Sequence, residues 1–195
     1  MKLYNIILFV LITTNLFSQT TFNKRFDFDF PACTLTGIIA TDSCYYSVGI
    51  IADSIYPYKA SNIFVKYDLE GEPNLIKTLR DTLITFEIWD NTFHALNDGC
   101  FLAAGYTFTP EMRGIIIKYD DNGDTVFTKT FLNPHFPEET FIRPTDLLIT
   151  NEEEYVLANW IATPPTGHSD IGVLKLDSSL NIQWHNTFGS NFLDI

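Results

Sequence analysis

Gly114-Ile-Ile-Ile-Lys-Tyr-Asp120 has two counterparts in the chain, Asn62-Ile-Phe-Val-Lys-Tyr-Asp68 and Ile171-Gly-Val-Leu-Lys-Leu-Asp177. The match continues downstream without a gap. Three positions after each Asp stand Gly71, Gly123 and Leu180, and ten positions after stand Thr78, Thr130 and Thr187. The next position holds Leu79, Phe131 and Phe188. The repeat spacing is 52 and then 57 residues, the length of one supersecondary unit in a repeat protein.

Upstream of each copy lies an apolar run: Cys44-Tyr-Tyr-Ser-Val-Gly49, Cys100-Phe-Leu-Ala-Ala-Gly105 and Tyr155-Val-Leu-Ala-Asn159. Before these come further strand candidates at 34–40, 86–96 and 145–150, separated from them by polar turn residues. Each unit therefore reads as four antiparallel strands, a to d. After the N-terminus no stretch sustains a 3.6-residue apolar period, and 9 Pro and 10 Gly punctuate the chain. The fold class predicted is all-β. Strands b and c are nearly continuously apolar, as expected of strands covered on both faces. Strand d alternates, with Phe127, Lys129 and Phe131 on one side, and Lys77 and Lys129 read as guards of an exposed edge. Asp121-Asn122-Gly123-Asp124 predicts a type I′ hairpin, and Ser178-Ser-Leu-Asn181, lacking Gly, predicts a different turn.

A four-stranded sheet repeated every fifty-odd residues is the blade of a β-propeller. The units are expected at 26–80, 81–132 and 140–189, with a fourth starting at 190–195. Here the chain resembles the large exported propeller-repeat proteins of Gram-negative bacteria. The resemblance rests on Ala104-Gly105, the run from Ile116 to Asp120, Gly123-Asp124, Lys129-Thr130-Phe131 and Phe188-Gly189. It implies a partial propeller of about three blades, the N-terminal portion of a longer product, and an export route often of type IX with a C-terminal sorting domain. A ring needs at least about four blades, so the remainder of the propeller is an expected partner. Thr20-Thr21-Phe22 matches the strand d ending Lys129-Thr130-Phe131 and is expected to clasp the ring closed.

Met1-Lys2 followed by an apolar run to Leu11, and then Ser18-Gln19, reads as a signal peptide helix over 1–18. The run is shorter than the roughly 20 residues a membrane span needs. The chain of 195 residues carries 12 Lys+Arg against 24 Asp+Glu, a formal charge of −12. That balance excludes nucleic acid and anionic membrane surfaces as partners. Three cysteines make an odd count for an exported chain; Cys33 and Cys44 are near enough for one bridge or remain thiols, and Cys100 reads as buried.

Neither a metal site, a cofactor motif nor a catalytic set is expected. His94, His135, His168 and His185 have no ligand spacing. Gly167-His168-Ser169-Asp170 holds ingredients of nucleophilic catalysis, but adjacent loop residues do not form a triad. Asp120, Asn122 and Asp124 match a calcium loop in part, without its Gly position or closing Glu. The functional expectation is geometric. The b–c connections, at 52–61, 106–113 and 160–170, read as long loops on one face carrying Tyr56, Tyr58, Phe108, Met112, Trp160 and His168. Such a rim suits a secreted or surface-exposed module that binds a glycan or protein ligand. The rival expectations are a glycan hydrolase or lyase built around Glu111, His168 and Asp170 with blades from elsewhere, and a purely structural spacer.

Overall fold

The computed structural model describes residues 24–54, 59–81, 83–109, 112–132, 141–163 and 168–189. The expected signal helix, the segment Thr20-Thr21-Phe22 and the start of a fourth unit lie outside the described residues. The fold is all-β, and no helix occurs among the described residues.

Three antiparallel sheets follow one another along the chain. The first joins β1 (Ala32–Ala40), β2 (Tyr45–Ala52), β3 (Ala60–Tyr67) and β4 (Pro73–Leu79) in sequence order. The second contains β5 (Thr85–Ile88), β6 (His94–Ala95), β7 (Phe101–Thr109), β8 (Arg113–Tyr119) and β9 (Thr125–Phe131). Here β5 and β6 both pair with β7, so the opening strand expected at 86–96 is interrupted. The third joins β10 (Phe141–Ile149), β11 (Tyr155–Thr163), β12 (His168–Leu176) and β13 (Ile182–Phe188).

The middle strands are buried on both faces because the sheets stack face to face. Tyr46, Val48 and Phe64 of the first sheet pack with Phe86, Ile88, Phe101, Ile117 and Tyr119 of the second. From the opposite face of the second sheet, Leu102, Ala104, Ile116 and Phe131 pack on Ile142, Leu147, Leu157 and Leu174 of the third. Each seam begins where the opening strand of one sheet meets the middle strands of its predecessor, β5 against β3 and β10 against β7 and β8. Burying a side chain such as Leu157 or Ile117 contributes about 1.5–3 kcal/mol, so each seam holds much of the stability. The free back of the first sheet, with Ile51, Ile63, Val65 and Tyr67, is covered instead by Phe26, Phe28 and Phe30 of the preceding segment.

Every c–d turn has one geometry, which corrects both sequence expectations. In the second sheet Gly123 N donates to Asp120 O, Asp120 N donates to Asp124 O, and only Gly123 takes positive φ, at 72°. That is a type I turn with a left-handed residue at its end and a bulge in the ladder, not type I′. The Asp120 carboxylate holds it by accepting from Asn122 N and Asp124 N, both at 2.9 Å. Asp177 does the same with Ser179 N at 2.9 Å and Asn181 N at 2.7 Å, and Leu180 adopts φ 61° where Gly123 stands. Packing explains the exchange. A Cβ on Gly123 would lie 2.5 Å from the Phe64 ring, whereas at the next seam Ile116 replaces Phe64 and buried Leu180 fills the space released.

The outer-strand lysines do not merely guard an edge; each reaches the c–d turn of the following sheet. Lys77 Nζ lies 2.7 Å from Asp124 Oδ1. Lys129 Nζ donates to Ser179 O and Asn181 Oδ1, both at 3.1 Å. Lys24 repeats the contact at the first sheet, donating to Glu70 O at 2.9 Å and pairing with the Glu72 carboxylate. Lys24 and Phe26 thus stand where Lys129 and Phe131 stand, a register four residues later than Thr20 to Phe22 would give. The three cysteines are free thiols, Cys33 exposed, Cys44 buried and Cys100 half-buried, so no bridge joins Cys33 to Cys44.

One polar contact is sealed within the first seam. Asn62 Nδ2 donates to Tyr119 Oη at 3.1 Å, and both residues are buried. Tyr119→Phe leaves that amide without its acceptor and is expected to destabilise by about 1–3 kcal/mol, read as a lower urea midpoint. Adding Asn62→Leu to Tyr119→Phe is expected to recover part of the loss; no recovery would show that shape, not the hydrogen bond, matters. A second expectation concerns acid. The backbone N–H of Asn181 holds the Asp177 carboxyl below its ordinary range, so its contribution is present above the unfolded pKa and fades as pH falls below about 4. Asp177→Asn keeps an acceptor but does not titrate, and its melting temperature is expected to fall less between pH 4 and pH 2 than that of the unaltered chain.

Candidate functional site

The second and third sheets meet in a polar and aromatic cluster at the end of the seam where the b–c connections lie. Gly105 sets the spacing. A Cβ there would fall 1.8 Å from Glu87 O, so only glycine lets β7 approach β5 this closely. The resulting register places Glu87 opposite Tyr106. Tyr106 Oη donates to Glu87 Oε2 at 3.0 Å. Beyond β5 the chain leaves the ladder after Trp89, whose N–H donates to Ala104 O at 3.2 Å. Thr92 anchors this excursion, its Oγ1 lying 2.6 Å from both Trp89 O and Ala104 O. Asn91 takes φ 60° at its corner.

Aromatic rings pack around Tyr106. Phe108 meets it edge-on with centroids 4.7 Å apart, and Trp89 lies 6.2 Å away. From β10 of the next sheet, the Arg143 guanidinium lies 3.3 Å from the Trp89 ring centroid and 5.6 Å from that of Tyr106. A cation over indole contributes about 2 kcal/mol when desolvated. Trp160 sits opposite Arg143 in the β10–β11 register, which puts the two Cβ atoms about 5 Å apart on one side of the sheet. The cluster thus gathers a guanidinium, a carboxylate, a phenol and flat apolar rings.

The residues expected at this rim separate. Phe108 and Trp160 enter the cluster, but as strand residues, since β7 runs to Thr109 and β11 to Thr163. Strand pairing extends into the second and third of what read as long loops, because β-branched and aromatic residues continue the ladder past Gly105 and Asn159, whereas the first, between Ala52 and Ala60, stays a connection. Met112 is exposed just before β8, and His168 opens β12 opposite Thr163. Tyr56, Tyr58 and Glu111 lie outside the described residues. Asp170 pairs with Ile161 along the ladder, and its Oδ1 is buried without a hydrogen-bond partner. No group of His, Cys, Asp and Glu able to hold a metal occurs among the described residues. Glu87, Trp89 and Arg143 were not singled out by sequence, since no spacing rule joins residues of two repeats.

A cavity of about 1160 Å³ opens elsewhere, between the back of the first sheet (Leu35, Ile38, Tyr45) and Asn91, His94 and Asp146. Its walls on the first sheet are the apolar positions that the neighbouring sheets cover in the other two seams, so it is a packing space rather than a reaction site. Compared with family models and with curated proteins, the chain matches none of them.

Burial, the Glu87 charge and the hydrogen bond to it push the Tyr106 phenol up to about 12, against a smaller opposing pull from Arg143. The raised value favours the neutral phenol in the folded state, so its contribution is intact below the unfolded pKa near 10 and is lost as pH rises through about 12. Tyr106→Phe is expected to start less stable at pH 7 yet to lose less stability between pH 10 and pH 12. Parallel decline of the two proteins in a denaturant series across that range would refute the assignment.

Proposed function

We propose that the three sheets are consecutive blades of a β-propeller completed by further sheets, exported to the surface or surroundings of a Gram-negative cell. The in-order meander of each sheet, the face-to-face stacking and the repeated lysine-to-turn contact support this reading. The uncovered surfaces agree with it. Phe188 is 57 % exposed where its counterpart Phe131 is 7 % exposed, and Leu148 and Ile171 stand exposed in the same sheet. The cavity behind the first sheet is room for the inner strands of a neighbouring blade, whose outer strand the Lys24–Phe26 segment supplies.

The function we infer is that of a binding or scaffold module for adhesion or glycan capture. The observation that carries it is the Glu87, Trp89, Tyr106, Phe108 and Arg143 cluster, which gathers recognition chemistry at the seam face. Trp89→Ala and Trp160→Ala, screened on a glycan array, are expected to weaken binding at least about tenfold while circular dichroism stays unchanged. Folded variants that bind as the unaltered chain does would remove the cluster as the site, and an unaltered chain that binds no glycan would leave the spacer reading in its place.

A further inference from the structure

We propose that Arg143 receives the carboxylate of a single acidic sugar, a uronate, at the seam between the second and third sheets. The inference rests on the binding-module reading above and names the class of ligand. Arginine that is partly buried ordinarily finds an anion, because five donors are costly to leave unpaired. Arg143 departs from that rule. Among the described residues it has no carboxylate partner, and its Nε is buried without a hydrogen bond. This occurs in a chain with 24 acidic residues against 12 basic ones, where a partner would be easy to supply. The carboxylate of the cluster, Glu87, is instead engaged by the Tyr106 hydroxyl.

The guanidinium is also held ready. Its Cζ sits over the Trp89 ring, 3.3 Å from the centroid, so the cation is held against an aromatic face. A guanidinium takes a carboxylate in two parallel hydrogen bonds. Trp160 stands opposite Arg143 in the β10–β11 pair, within reach of the apolar face of a sugar ring held there. The net charge of −12 disfavours a long polyanion threading past the site, so the ligand that fits carries its acid on one residue, as at a chain end.

The test titrates the full 195-residue chain with D-glucuronate, D-glucose and acetate, following indole fluorescence and heat. Glucuronate is expected to bind, with glucose and acetate at least tenfold weaker. Arg143→Gln is expected to raise the glucuronate Kd at least tenfold. Arg143→Lys keeps the charge but lacks the planar fork, and is expected to weaken binding too; it supplies the result if the Gln variant does not fold. Unchanged glucuronate affinity in a folded Arg143 variant overturns the proposal, as does acetate binding equal to glucuronate. Glucose binding equal to glucuronate, lost in Trp160→Ala, overturns the carboxylate but leaves the binding module standing. Failure of the unaltered chain to bind any sugar on the array or in solution removes both.

Discussion

Every sheet in this protein is apolar on both faces, and that constraint governs the rest. A strand such as β3 or β8 cannot meet water on either side without exposing Ile, Phe or Val, so each sheet is stable only between two neighbours. The Phe26, Phe28 and Phe30 segment meets part of this demand at the first sheet, where Leu35 and Ile38 stay exposed, and a stacked sheet meets it in the two seams. The third sheet meets it on one side alone among the described residues, and Phe188, Ile171 and Leu148 remain exposed there.

Stacking also explains features that look like local chemistry. The aspartate that opens the c–d turn holds two backbone N–H groups in the second and third sheets and one in the first, and each turn presents its oxygens to a lysine of the preceding sheet or segment. Single exposed pairs of this kind contribute little, about 0–1 kcal/mol. Their effect lies in register: a lysine that meets the next turn fixes how far one sheet slides over another. The seam core then sorts volumes, Phe64 against Gly123 and Ile116 against Leu180, so that the same turn tolerates glycine in one repeat and leucine in the next.

The polar and aromatic cluster follows from the same arrangement. Gly105 permits the close pairing that sets Tyr106 beside Glu87, and stacking of the third sheet carries Arg143 onto Trp89. Phe108 and Trp160 could be nominated from the sequence because they are large aromatics in what read as long b–c loops. Arg143 could not, since its partner Trp89 is 54 residues away and belongs to another repeat.

The repeat of Ile-Ile-Ile-Lys-Tyr-Asp and its kin was enough to give the all-β class, the strand order and the positions of the turns, because alternation and hydrogen-bonding side chains act within a few residues. The turn at Asn122-Gly123 departs from the type the Asn-Gly pair prefers, since the Asp120 carboxylate and the bulge it stabilises outweigh that preference. The interruption after Ile88, the extension of β7 and β11, the lysine contacts and the placing of Arg143 over Trp89 were decided only by tertiary structure. They depend on which face of one sheet meets which face of the next, and that is a property of side-chain volumes brought together from distant parts of the chain.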